Sequence, residues 1–241
     1  MTSVIVSSHI SEKCERALRI RGFNPILLPE YPPLPRAIAT HPDTLICRVG
    51  DVLITSADYC EYAPYVFSDI RELHPNIRIL FSSDSLSDSY PDDCTFNALT
   101  LGGTTYAREG SISHSVIETS VSLDYRQMYV KQGYPACTTL AFESVERSFA
   151  ITADSGMARV LRANGVSVTE ITCGHIKLEP YEYGFIGGAS GAHRDKIYFF
   201  GSLDAHPNAH LIRHAASEAG YECISLSDEP LEDLGGMIFI D

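Results

Sequence analysis

The sequence predicts an α/β protein in which five similar strand–helix–strand–strand units surround a shared centre. Three observations carry that expectation. A strand, a capped helix, a stop glycine and a second strand recur in the same order along the chain. Each recurrence is followed by a further short apolar strand and, twice, by hairpin-turn chemistry, Gly50-Asp51 and Gly102-Gly103. The recurrence length is about 48 residues, so the 241-residue chain divides into five.

The first unit opens with the strand Val4–Ser7. Ser11 is placed to cap a helix whose Cys14, Ala17 and Leu18 share one face, Gly22 ends it, and Pro25–Pro29 is extended. The closing strand is Thr44–Arg48. In the second unit the strand Val52–Thr55 leads to a helix over Glu61–Leu73, and His74-Pro75-Asn76 replaces the stop glycine. Ile77–Phe81 and Thr95–Leu101 follow as strands. The third unit fits the pattern least well. Its helix is expected near Ser113–Ser120, Asp124–Lys131 reads equally as helix or strand, and Cys137–Phe142 closes it. The fourth has Phe149–Thr152, a cap at Asp154, and a helix face of Met157, Val160 and Leu161. Gly165, Val166–Ile171 and a closing strand Tyr183–Ile186 complete it. The fifth has Ile197–Gly201 and a helix opened by Pro207 with Leu211, Ile212, Ala215 and Ala216 inward. Gly220, Tyr221–Leu226 and Met237–Ile240 follow. The units then span residues 3–51, 52–103, 104–147, 148–195 and 196–241 of one domain. A doubly wound sheet also alternates strand and helix, but no GxGxxG follows the first strand, and two strands rather than one follow each helix.

A net charge of −13 argues against nucleic acid and anionic membrane as partners, since both call for a basic face. No run approaches 18 apolar residues, and Met1-Thr2-Ser3-Val4 enters a strand directly, so neither a membrane span nor a signal peptide is expected. Seven cysteines at wide spacings without a CxxC pair point to a reducing, cytoplasmic setting and to no zinc site of the usual kind.

The closing strands hold the unusual residues. His41-Pro42-Asp43-Thr44 leads into the first, Gly133-Tyr134-Pro135-Ala136-Cys137-Thr138 into the third, and Leu234-Gly235-Gly236-Met237 into the fifth. Together they resemble the pentein superfamily of guanidine-modifying enzymes: arginine and agmatine deiminases, dimethylarginine hydrolases and amidinotransferases. The order of the motifs is similar to that of a circularly permuted bacterial branch. The resemblance implies a five-bladed, pseudo-symmetric α/β propeller, no cofactor, no metal, and a small-molecule ligand in a central cavity. It leaves homo-oligomerisation open. It also implies Cys137 as nucleophile, His41 as general acid and base, and Asp43 as a partner for a cationic group.

Two positions depart from that pattern. The carboxylate of a Gly-Gly-Asp motif falls at Met237, and the blade that supplies a further acid reads Phe185-Ile186-Gly187-Gly188-Ala189-Ser190-Gly191. A guanidinium buried without carboxylates is poorly compensated. Either the substrate is not a guanidine, or Asp233, Glu30 or Asp154 substitutes, or catalysis is lost. Gly187, Gly188 and Ser190 are candidate ligand contacts through backbone amides, with tight strand packing as the plain alternative. His206, His210 and His214 lie at i, i+4, i+8 and read as a solvated helix face. The acidic run 228–233 reads as a loop, and Tyr134, Tyr181 and Tyr183 are candidates for the cavity wall. Two functions follow: a cysteine-dependent C–N hydrolase or transferase on a small guanidine or amidine, or a non-catalytic module that binds a small molecule or a protein in the same cavity.

Overall fold

The computed structural model describes all 241 residues. In chain order the elements are β1 (Ser3–Ser7), α1 (Glu12–Ile20), β2 (Asn24–Leu28), α2 (Pro42–Leu45), β3 (Ile46–Val49), β4 (Val52–Ser56), α3 (Ala57–Tyr62), α4 (Pro64–Leu73) and β5 (Arg78–Ser82). There follow β6 (Leu99–Leu101), β7 (Thr104–Arg108), α5 (His114–Ser122), β8 (Arg126–Val130), α6 (Pro135–Thr138), β9 (Thr139–Glu143), β10 (Ser148–Thr152), α7 (Ser155–Ala163) and β11 (Ser167–Glu170). The chain ends with β12 (Ser190–His193), β13 (Lys196–Phe199), α8 (Ala209–Glu218), β14 (Glu222–Ser225) and β15 (Ile238–Ile240).

Five three-stranded sheets result: β15-β1-β2, β3-β4-β5, β6-β7-β8, β9-β10-β11 and β12-β13-β14. In each, the middle strand is antiparallel to the first strand and parallel to the third, which it reaches through a helix. The molecule is a five-bladed α/β propeller. Its ring closes where β15 pairs with β1, with Ser3 opposite Ile240 and Ile5 opposite Ile238.

Local chemistry sets the helices. Ser11, Ser56, Ser113 and Asp154 each accept a backbone N–H of the following turn, from Cys14, Tyr59, Ser115 and Met157. Gly22, Gly165 and Gly220 follow α1, α7 and α8 with φ of +85°, +82° and +82°, a region that L side chains resist. The inward helix faces (Cys14 and Leu18; Met157, Ala158 and Leu161; Ile212, Ala215 and Ala216) cover the sheets. β1 and β4 are buried along their whole length, as a strand covered on both faces must be.

Several expectations are corrected. The strand that closes each of the first four sequence units pairs across its tight turn with the first strand of the next unit, and β15 pairs with β1 at the start of the chain, so each sheet is offset by one strand from the repeat boundaries. Tyr183–Ile186 is not a strand. Its backbone bonds into loops, with Gly184 N donating to Ile176 O and Phe185 N to the Asp233 carboxylate, and the strand is instead β12. Thr44–Arg48 and Cys137–Phe142 each begin with a single helical turn, opened by Pro42 and Pro135, before the strand starts. Of Thr95–Leu101 only the last three residues form a strand. The expected helix over 61–73 breaks at Ala63 before Pro64, whose ring removes an N–H. Asp124 takes φ +59° and turns the chain into β8, which settles the ambiguous stretch as strand. No helix is long and apolar enough to cross a membrane.

Candidate active site

α2 and α6 are the same device in two blades. Each is one turn with proline at its start, and each hands its last carbonyl to a threonine of the neighbouring strand. Thr55 Oγ1 donates to Leu45 O and Thr152 Oγ1 to Thr138 O, both at 2.8 Å. α2 sets His41 and Asp43 at the centre of the ring, and α6 sets Cys137 there. Two contacts fix the turns: Asp43 N donates to Gly235 O at 3.1 Å, and Ala136 N donates to Asn97 Oδ1 at 2.9 Å. Gly235 lies so close to His41 that a Cβ would overlap the His41 side chain, and its φ is +75°. Gly235 is therefore spacing for the histidine turn, while Gly236 faces the Gly187 carbonyl.

Asp233 completes the cluster. Its side chain is buried, and it accepts N–H bonds from Phe185 at 2.8 Å and Gly235 at 3.1 Å. The Cys137 thiol donates to it, with Sγ 3.5 and 3.4 Å from the two oxygens. His41 Nδ1 lies 3.8 Å from Asp233 Oδ1 and 4.0 Å from Asp43 Oδ1. One donor atom from each of His41, Cys137 and Asp233 lies within 4.8 Å of the others, and this is the one His/Cys/Asp/Glu group placed to hold a metal ion.

Of the three substitute acids named from sequence, Asp233 alone reaches the centre. Glu30 pairs with His9 at the surface, and Asp154 caps α7 and accepts from Gln132. Asp228 and Glu229, in the same acidic run as Asp233, are exposed and paired with Lys13. Gly188 and Ser190 do not offer the free backbone donors expected of them, since Ser190 N also donates to Gly187 O. Gly188 N donates to Cys137 O and Ser190 Oγ to Ile186 O. A Cβ at Gly188 would strike Asp233 and the Cys137 sulfur, and one at Gly187 would strike the backbone of α6. These glycines leave room for Cys137 and Asp233 to meet. His206 is buried, its Nδ1 accepting from Asn208 N, while His210 and His214 are exposed, so the three do not converge.

The cluster's electrostatics follow from burial among carboxylates. Desolvation, with Asp233 and Asp43 nearby, pushes the Cys137 thiol well above its usual range. Burial, with the Asp233 charge, pushes Asp43 up to about 7. Burial lowers His41, with Asp233 opposing. At neutral pH the pair is thus a thiol and a neutral imidazole. Six buried side-chain polar atoms have no hydrogen-bond partner: His41 Nδ1, Asp43 Oδ2, Asn97 Nδ2 and Asp93 Oδ1, and, apart from these, Arg108 Nε and His206 Nε2. Buried polar groups are ordinarily satisfied, so each of these atoms is free to take a partner.

A cavity of about 510 Å3 leads to His41 and Cys137, with Asp93, Tyr134, Tyr181, Tyr183 and Phe185 in its wall. Asp43 faces a second cavity of about 500 Å3, lined by the innermost strands β3, β6, β9, β12 and β15. Asp93 and Asn97 were not singled out from sequence. The signal was their place before β6, which matches that of His41 and Asp43 before β3.

A family model described as "Family of unknown function (DUF6873)" matches residues 5–238. No curated protein matches the sequence. Among solved structures, the dimethylarginine dimethylaminohydrolase of Pseudomonas aeruginosa, as a cysteine-to-serine mutant complexed with citrulline, is similar at a TM-score of 0.57 and 9% identity, over 94% of this chain and 92% of that one. The amidinotransferase SxtG of Microseira wollei gives 0.55 and 8%, over 92% and 76%. The N-terminal domain of the cyanobacterial arginine dihydrolase ArgZ, bound to substrate, gives 0.53 and 11%, over 95% and 92%.

Proposed function

Because this chain belongs to that family of unknown function, DUF6873, and has the pentein fold, we propose that it is a cysteine-dependent hydrolase or transferase that breaks a C–N bond of a small guanidine or amidine. The observation that carries the reading is the meeting of Cys137, His41 and Asp233, with Asp43 beside His41, next to unpartnered polar atoms, where His41 and Cys137 form the floor of a cavity.

The resting thiol is protonated because it is buried, and the Asp233 and Asp43 carboxyls beside it add to the effect. A guanidinium seated against Asp233 and Asp43 reverses that local field and favours the thiolate, with His41 taking the proton. The sulfur then forms a bond to the amidino carbon. As the C–N bond breaks, the leaving amine takes its proton from His41. Water, deprotonated by His41, attacks the same carbon, the C–S bond breaks, and the sulfur regains its proton. An amine in place of water makes the reaction a transfer. Asp233 and Asp43 act by holding the delocalised cation in line with the sulfur, which is where their value as paired buried charges lies.

The test is amine or ammonia release from butylguanidine, with and without an added amine acceptor. Wild-type protein is expected to turn over. Cys137→Ala is expected to be inactive while unfolding at an unchanged temperature, and His41→Ala to lose at least about 100-fold in rate. Full turnover by Cys137→Ala would remove the covalent mechanism. Saturable binding of the guanidine without turnover in any variant would favour the second reading, a binding module on the same floor.

A further inference from the structure

Two cavities meet at the cysteine cluster, and the reaction proposed above uses one of them. The first, about 510 Å3, is walled by segments that precede the innermost strands, among them His41, Tyr134 and Cys137. The second, about 500 Å3, is walled by the innermost strands themselves and runs along them to Arg48, Glu143, Arg194 and Asp241, all exposed. No residue belongs to both walls. The partition is formed by α2 and α6: His41 and Cys137 face the first cavity, Asp43 and Ala136 the second. It is one layer of side chains thick, since His41 Nδ1 lies 4.0 Å from Asp43 Oδ1. His41 Nδ1 and Asp43 Oδ2 are both without a hydrogen-bond partner. The second cavity is not closed by packing. Thr100, Ala141, Ala192 and Ile238, on four of its strands, are half-buried, as are Asp43 and Ala136 at its inner end.

Resting on the function proposed above, we infer that the second cavity is a separate port for the small species of the reaction: the departing amine leaves by it and the attacking water enters by it. The tail of the guanidine occupies the first cavity and closes that route behind itself. The nitrogen set against Asp43 is then an unsubstituted one, and it borders the second cavity. The sulfur bonds to the amidino carbon, the bond from that carbon to that nitrogen breaks, and the nitrogen takes its proton from His41 and departs as ammonia. Water arrives from the same side, beside Asp43 and so within reach of His41. It gives His41 a proton and its oxygen takes the place of the lost nitrogen. The C–S bond breaks, leaving a substituted urea and the thiol.

Thr100→Phe and Ala141→Phe, singly and together, narrow the second cavity away from the cluster and test this with butylguanidine as substrate. Wild-type protein is expected to release ammonia and butylurea. In the double variant turnover is expected to fall at least about tenfold, with Cys137 carrying the butylamidino group in acid-quenched samples read by mass. Alkylation of Cys137 by chloroacetamidine, which enters by the first cavity, is expected to stay within about twofold of wild type, a sign that the cluster is intact. Where the double variant does not fold, the single variants are expected to show smaller changes in the same sense. Wild-type turnover in a folded double variant, with no adduct, overturns the inference alone. Equal loss of alkylation and turnover also overturns it, by making the second cavity the entrance of the guanidine itself. So does release of butylamine in place of ammonia, which puts the departing nitrogen on the tail side. No turnover by the wild-type protein removes the function on which the inference rests.

Discussion

Burial beside Asp233 disfavours the ionised form of Asp43, and that makes pH a direct probe of its role. Its ordinary value is near 4, and burial beside Asp233 raises it to about 7. The group therefore favours the folded state fully below its unfolded value, and that contribution is lost as pH rises to about 7. A cation bound against Asp43 needs the ionised form. Guanidinium affinity is accordingly expected to rise with pH up to about 7 and then level, with proton release on binding below that point. Asp43→Asn should flatten the profile, weaken binding, and raise the unfolding temperature of the free protein at pH 8. Calorimetry in buffers of different ionisation heat measures the protons released. The same scale shows what was legible. His41, Asp43 and Cys137 stand out through the family resemblance carried by the short Pro-containing motifs at two closing strands. Asp233 is harder to see, since it ends an acidic run whose earlier members Asp228 and Glu229 are solvated. Only the fold shows two backbone N–H groups aimed at its carboxylate.

Helices were easy to place where a cap and a stop flank them, because both signals are local. Ser11 and Asp154 cap α1 and α7, and Gly22 and Gly165 end them. At Gly165 a Cβ would meet nothing within 4 Å, so backbone strain is the whole penalty for replacing it. Gly165→Ala is expected to lose about 1–2 kcal/mol of stability with turnover unchanged, read by denaturant unfolding. Ser11→Ala is expected to cost about 1 kcal/mol. Strand membership was less legible, because a tight turn such as Gly50-Asp51 decides pairing across what the repeat marks as a boundary. Tyr183–Ile186 reads as strand because its residues carry no local sign of the tertiary bonds that claim its backbone. Gly184, Gly187 and Gly188 answer to Asp233 and α6, partners far away in the chain.

The five-fold repeat itself was visible in the sequence, since periodic order survives where individual motifs are weak. What the repeat alone does not reveal is the convergence at its axis, which depends on closure of the ring. β15 pairs with β1, Thr2 Oγ1 donates to Asp241, and the Arg48 guanidinium donates to Phe239 O. The loop just before β15 carries Asp233 and the Gly235 carbonyl that holds α2. Removing residues 237–241 is thus expected to disorder the site as well as the blade, lowering the unfolding temperature and making Cys137 as reactive as an exposed thiol. The most direct test of the whole account sets matched cationic and neutral alkylating agents, chloroacetamidine and chloroacetamide, against the seven cysteines, with intact mass and peptide mapping as the readout. Relative to their rates with a free thiol, the cation should modify Cys137 about tenfold faster or more than the neutral reagent, and Asp233→Asn should erase the difference. If exposed Cys173 reacts first with both reagents and Cys137 stays inert, the centre of this ring is packing and not a site for cations.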